Sequence, residues 1–221
     1  MRLPFPITKI LIFASATLSL RAQEPPAPWK HQDIGMAQVA GTARHAGGVF
    51  TLQGTMDLWG VADGGHFLSQ PWRGDVELIV RVTGMENPGK VAHAKAGLCI
   101  RESADAGARC VGLCVTASDG VQMTARDATD GKTARVRNET ATPEENVAKA
   151  AFPCWLKLVR NGKEFSGYES ADGKTWWLTG KITIEFKDDA MLGLTSSSHT
   201  KDTLTASVFD QVSVSAPRTG R

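Results

Sequence analysis

No apolar run in the sequence approaches the roughly 18 residues that a membrane-spanning helix needs; the run at 10–20 has eleven. Arg2 and Lys9 precede it, Ala22 offers a small residue for cleavage, and no cysteine follows to take a lipid anchor. Residues 1–22 therefore read as a secretory signal peptide, and the mature chain is expected to be secreted or periplasmic, with no membrane insertion after cleavage. An uncleaved anchor is the weaker alternative, because Pro25, Pro26 and Pro28 follow the run at once.

Basic blocks are also missing. Arg2, Lys9 and Arg21 account for three of the 25 basic residues, so the chain beyond residue 22 carries 22 bases against 23 acids. Lysines and arginines stand singly among acids, which excludes an electrostatic grip on nucleic acid or anionic lipid. The sequence has no Gly-x-Ser-x-Gly elbow, no His-Glu-x-x-His zinc helix and no phosphate loop. No Cys-x-x-Cys pair occurs either, which argues against a thiolate metal site. No motif for a cofactor is present.

Long helical stripes are absent, and what replaces them has the period of strands. Val76, Leu78, Val80 and Val82 alternate with Asp75, Glu77, Ile79 and Arg81. Further strand-like runs cover 48–54, 66–72, 94–101, 109–116, 121–126, 155–159, 164–170, 175–184, 191–195 and 203–214. Asp119-Gly120, Asp130-Gly131, Asn161-Gly162 and Asp172-Gly173 punctuate them as turns. Many short strands argue for an all-β antiparallel sandwich, with the jelly roll its expected topology. Residues 23–28 form a proline-rich lead, 29–215 one domain and 216–221 a tail. Thr142, Pro143 and Glu145 fit either a helix of at most two turns at 143–150 or an irregular polar loop.

Cys99, Cys110, Cys114 and Cys154 permit three pairings. Cys99 and Cys114 lie on strands joined by the turn at 102–108, so a cross-strand bridge is possible. Cys110 and Cys154 can meet only through tertiary folding. An oxidising compartment favours at least one disulfide, whereas four small buried thiols fit the strand pattern equally well.

The densest polar and aromatic stretch is 57–70, Asp-Leu-Trp-Gly-Val-Ala-Asp-Gly-Gly-His-Phe-Leu-Ser-Gln. Gly60, Gly64 and Gly65 allow positive φ, so a bend between two strands can present Trp59, Asp63 and His66. Asp57-Leu58-Trp59-Gly60, Asp63, His66-Phe67 and Gln70 begin an ordered series. Ala94-Lys95-Ala96-Gly97, Ile100-Arg101-Glu102-Ser103, Trp155-Leu156-Lys157-Leu158, Gly167-Tyr168, Trp176, Ser198-His199 and Phe209-Asp210 continue it. In this order the residues resemble an exported bacterial family of the concanavalin A-like lectin and glucanase superfamily. Its branch is that of uncharacterised domains related to "regulation of enolase" proteins, and the resemblance covers residues 29–215. Such a resemblance implies two curved antiparallel sheets in a jelly roll and a carbohydrate or polysaccharide partner, with a non-catalytic module favoured over an enzyme. Relatives carry an aromatic where Gly65 stands and a tyrosine where Ser69 stands.

Glycan recognition needs flat apolar rings beside planar polar groups. Trp59, Trp72, Trp176 and Trp177 are the available rings. Trp176 and Trp177 are adjacent on a strand, so one is expected in the core and the other outward. Trp29 and Trp155 read as packing residues, and Trp59 itself leans towards the core as large aromatics do. The candidate ligand-binding set is Trp59, Asp63, His66, Gln70, Lys95, Arg101 and Glu102, which the resemblance places together on neighbouring strands of the concave sheet. A structural network, Arg101 with Glu102 or Asp63, is the competing reading. Asp57 and Asp63 are candidates for calcium or for sugar hydroxyls, although Asp57 also suits a turn cap. His199 and Tyr168 are secondary candidates, while His31, His45 and His93 read as surface loop residues.

Two other functions compete. Glucanases and polysaccharide lyases share the sandwich, but the laminarinase-type Glu-x-Asp-x-x-Glu is missing: Arg73 and Leu78 stand where its glutamates would. A noncanonical pair such as Asp63 and Glu102 is the remaining substitute. A cell-envelope protein-interaction module is the remaining possibility, with a contiguous apolar patch as its mark.

Overall fold

The alternation at Val76 extends through an eleven-residue strand, β5 (Val76–Glu86), whose Val76, Leu78, Val80 and Val82 are fully buried. A computed structural model describes residues 22–87, 89–138 and 152–217. Residues 1–21 of the expected signal peptide and the segment 143–150 lie outside the described residues. Among the described residues every regular element is a strand, and the strands form two seven-stranded antiparallel sheets.

In spatial order the first sheet holds β1 (Lys30–Ile34), β4 (Gly65–Arg73), β13 (Asp189–Ser197), β6 (Lys95–Arg101), β7 (Cys110–Thr116), β8 (Val121–Arg126) and β9 (Ala134–Val136). The second holds β12 (Trp177–Thr183), β11 (Glu164–Ser170), β10 (Cys154–Asn161), β5, β14 (Thr200–Ser215), β3 (Val49–Met56) and β2 (Thr42–Ala46). Leu68, Leu98, Leu113 and Leu192 from the first sheet meet Leu78, Val80, Leu156 and Phe209 from the second. Each such side chain contributes about 1.5–3 kcal/mol by leaving water.

Strands β1, β2 and β9 do not follow from periodicity, and each is a sheet edge. Their sequences, Lys-His-Gln-Asp-Ile, Thr-Ala-Arg-His-Ala and Ala-Arg-Val, are short and rich in charge. An edge strand gains from polar residues that discourage pairing with another chain, so its apolar alternation is weak. The four Asp/Asn-Gly turns behave as expected: Gly120, Gly162, Gly173 and Asp130 all adopt positive φ.

One feature distinguishes the first sheet. Every residue of β6 and β7 is buried. Their inner faces meet the core through Leu98, Ile100, Val111 and Leu113, so their outer faces, carrying Lys95, Cys99, Arg101, Cys110 and Cys114, must be covered by something else.

Candidate functional site

The cover is the β3–β4 loop, residues 57–64, together with the β6–β7 loop. The first closes on itself, Gly64 N donating to the Asp57 carbonyl at 2.7 Å, and is pinned to the second where Asp63 N donates to the Ala106 carbonyl at 2.9 Å. Of Gly60, Gly64 and the following Gly65 only Gly60 uses positive φ, at 82°. Gly65 is needed for space instead: a Cβ there would stand 3.2 Å from Leu58 Cδ2. Leu58 thus occupies the region above Gly65.

Asp63 is the anchor of this cover. Its carboxylate, 3% exposed, pairs with the Arg101 guanidinium and accepts from Arg126 Nη2 at 2.7 Å and Nη1 at 2.9 Å. The guanidiniums then donate outward to the loops. Arg126 reaches the carbonyls of Gly60, Ala106, Ala108 and Gly131 and the Thr133 hydroxyl, and Arg101 those of Ser103 and Asp105. Arg126 was not singled out by the sequence, although it lies in register with Cys110 and Arg101 on the outer face. Alternation from Gln122 and Thr124 would have placed it there.

His66 and Gln70 are not part of this arrangement. They share a face of β4 with Leu68, which is in the core, so they lie on the side of the sheet opposite Lys95 and Arg101. The expectation of one concave-face set is corrected on this point, because adjacent strands do not put residues of unlike parity together. His66 Nδ1 lies 2.7 Å from Asp33, its Nε2 2.9 Å from His31, and His31 in turn 3.1 Å from Glu24, which also pairs with Arg44. His31 therefore belongs to strand β1 and to this chain of contacts, not to a surface loop.

Burial holds the His66 pKa below the usual 6.5, against the opposing hydrogen bond and charge of Asp33, with His31 adding to the lowering. Between the folded and unfolded values the unfolded chain binds more protons, so stability is full above about 6.5 and falls as pH drops towards the folded value. Urea unfolding from about pH 7.5 to 5 is expected to show this loss, and His66→Gln to reduce its slope. An identical slope in the variant would contradict the assignment.

Glu102 sits at the far end of β6 facing away from Asp63. It accepts from Lys187 N at 2.9 Å and pairs with Arg109 and the Lys187 ammonium at 3.6 and 3.9 Å. The paired-carboxylate substitute for a glucanase motif is thus split, each acid engaged with its own cations.

Between the cover and the sheet remains a cavity of about 20 Å³, lined by Leu58, Lys95, Gly112, Cys114, Gln122 and Thr124 among others. That holds about one water and no sugar ring. Its rim is polar. Lys95 pairs with Asp57, Asp57 lies 2.8 Å from His199 Nδ1, and His93 Nδ1 lies 3.2 Å from Asp119. Asp57 is therefore an ion-pair partner rather than a turn cap. Trp59, expected towards the core, is 43% exposed. Its neighbour Gly60 accepts from Thr133 N at 2.8 Å, which ties the loop to the segment between β8 and β9. There Thr124 is opposite Arg135, and alternation adds Gln122 and Arg137 to the same face. Among the described residues neither arginine has an ion-pair partner.

The remaining tryptophans lie elsewhere. Trp177 is 54% exposed. Trp176 is half-buried on the second sheet, where the Lys157 ammonium lies 4.4 Å from its ring and 4.7 Å from that of Tyr168, so neither of the pair is in the core. Trp155 packs under the Gly173 turn and Trp29 against Phe50. All four cysteines are buried and free. Cys99, Cys110 and Cys114 share the outer face of the first sheet, whereas Cys154 faces the core from the second, which separates it from Cys110. No group of three or more His, Cys, Asp or Glu side chains placed to hold a metal occurs among the described residues.

Two seven-stranded antiparallel sheets with this order define a concanavalin A-like jelly-roll sandwich. No family model matches the sequence, and no curated protein sequence matches it. Among solved structures, a functionally unknown protein from Saccharomyces cerevisiae is similar at 20% identity and TM-score 0.63, over 86% of this chain and 97% of that one. A GH43 protein from Bacillus licheniformis is similar at 16% identity and TM-score 0.56, over 85% of this chain but only 39% of its own. An alginate lyase of polysaccharide lyase family 7 is similar at 9% identity and TM-score 0.51, over 86% of this chain and 94% of its own. At these identities the likeness defines the fold.

Proposed function

We propose that this chain is an exported, non-catalytic β-sandwich of the branch related to "regulation of enolase" proteins, and that it binds carbohydrate along the rim of the covered sheet. The observation that carries the reading is the exposed Trp59 ring, held on a closed loop whose Gly60 carbonyl is tied to Thr133 N, next to the strand pair that carries Gln122, Thr124, Arg135 and Arg137 on its outer face. A ring offers the apolar face that a sugar stacks upon, and amide, hydroxyl and guanidinium groups match its hydroxyls. Of the candidate residues, Trp59 is a direct contact, whereas Lys95 is buried and paired with Asp57 beneath the rim. Asp63 and Arg101 hold the loop that carries Trp59, and His66, Gln70 and Glu102 lie outside the contact surface. The engagement of Asp63 and Glu102 with separate cations supports a binding role over a hydrolytic one, because a glycosidase acid must be free to exchange a proton with the leaving oxygen.

A glycan array and a polysaccharide panel test the reading. The wild type is expected to bind, Trp59→Ala to lose about tenfold or more in affinity, and Trp177→Ala on the other sheet to bind as before. Failure to bind any polysaccharide would sink the proposal, and release of reducing or unsaturated sugars would replace it with an enzyme.

A further inference from the structure

The geometry points to a two-histidine site for a divalent transition metal at the surface, formed by His93 before β6 and His199 in the β13–β14 turn. The two imidazoles have ring centroids 5.2 Å apart and planes inclined at 66°. Two imidazoles that bind one tetrahedral metal through nitrogen, at about 2.0–2.1 Å each, bring their centroids to about 5 Å. The observed separation fits a shared ion.

The outer contacts of the rings agree with this. His93 Nδ1 lies 3.2 Å from an Asp119 carboxylate oxygen and His199 Nδ1 lies 2.8 Å from one of Asp57. A carboxylate thus stands beside Nδ1 of each ring and leaves the Nε2 side for a metal, as carboxylate partners do for metal-binding histidines generally. Asp57 is itself oriented by Lys95, and Asp119 accepts at 3.0 Å from the Ser118 hydroxyl. Asp57 and Asp119 are positioning residues in this reading, and water completes the coordination. Imidazole ligands favour zinc, copper(II) or nickel over calcium or magnesium, which prefer oxygen.

The backbone supplies an independent sign. His199 adopts φ of 60°, in the left-handed region, and Met56, whose carbonyl accepts from His199 N at 2.6 Å, adopts 65°. Glycine or asparagine is the ordinary residue for such a turn, and a histidine held there carries conformational cost. Both rings are open to solvent, with side chains 53% and 39% exposed, so core packing does not account for the pair. This site does not depend on the carbohydrate reading.

Calorimetric titration of the untagged chain with zinc, nickel and calcium chlorides tests it. One zinc and one nickel are expected to bind per chain, and calcium not to bind. His93→Ala and His199→Gly should each weaken zinc binding at least tenfold; glycine fits the positive φ at 199, so the second variant keeps the turn. Circular dichroism of both variants should match the wild type. Absence of zinc and nickel binding, or undiminished binding in the folded variants, would overturn the proposal.

Discussion

Asp63→Ala is expected to lower the unfolding free energy by about 3–5 kcal/mol, the cost of leaving buried charges without their partner. The substitution strands two guanidiniums at once, because Arg101 and Arg126 are 1% and 0% exposed and both pair with this carboxylate. Buried ion pairs are often replaceable by apolar groups of similar volume, but this one has a second duty. Arg126 alone satisfies four loop carbonyls, those of Gly60, Ala106, Ala108 and Gly131. Replacing Asp63, Arg101 and Arg126 together with apolar residues is therefore expected not to restore stability, since the Ala108 and Gly131 carbonyls would lose the Arg126 donor while those of Gly60 and Ala106 keep only the Thr133 and Asp63 main-chain N–H groups. Urea denaturation of the single and triple variants measures both effects; a loss below about 1 kcal/mol for Asp63→Ala would show that the loops hold without the clamp.

The thiols are expected to resist a disulfide reagent by a similarly wide margin. Burial pushes the Cys114 thiol from an ordinary 9.0 up to about 12, and burial with the nearby Glu169 pushes Cys154 to about 12. The Cys110 thiol is raised well above its ordinary value by a hydrogen bond with Cys99, by burial and by the charges of Cys99 and Asp63, with Arg101 opposing. A shift of three units leaves about a thousandfold less thiolate, the form that reacts. Native protein is expected to react slowly or not at all, and protein in guanidinium to release four equivalents. Fewer than four in the unfolded state would show that oxidation has joined a pair, with Cys99 and Cys110, diagonal neighbours across β6 and β7, as the pair in contact.

The fold was legible where a strand has one buried face and one wet face. Val76 to Val82 and the Asp/Asn-Gly turns sufficed for the sandwich, since period two and positive-φ residues are local properties. Strands β6 and β7 were legible as strands, but their burial on both faces was not. What covers them is a loop more than 30 residues distant in sequence from either, as the 38-residue separation of Asp63 from Arg101 illustrates. The same distance explains the site. Asp63 with Arg101 could be paired from the sequence as a structural network, and that pairing is present. Alternation along β8 puts Arg126 on the outer face, but its pairing with Asp63 needed the register of β8 against β7. His66 fell on the wrong face because sequence proximity to Asp63 says nothing of which way a strand residue points. Trp59 faces solvent because Leu58, and not the larger ring, fills the space over Gly65.

Mapping the contact surface by nuclear magnetic resonance tests the proposed function most directly, using an oligosaccharide drawn from the polysaccharide bound best. The Trp59 indole N–H and the side chains of Gln122 and Arg135 are expected to shift on titration, with the Arg101 and Arg126 guanidiniums unchanged inside their clamp. Shifts confined to Trp155, Tyr168 and Trp176 on the second sheet, with Trp59 unmoved, would contradict it.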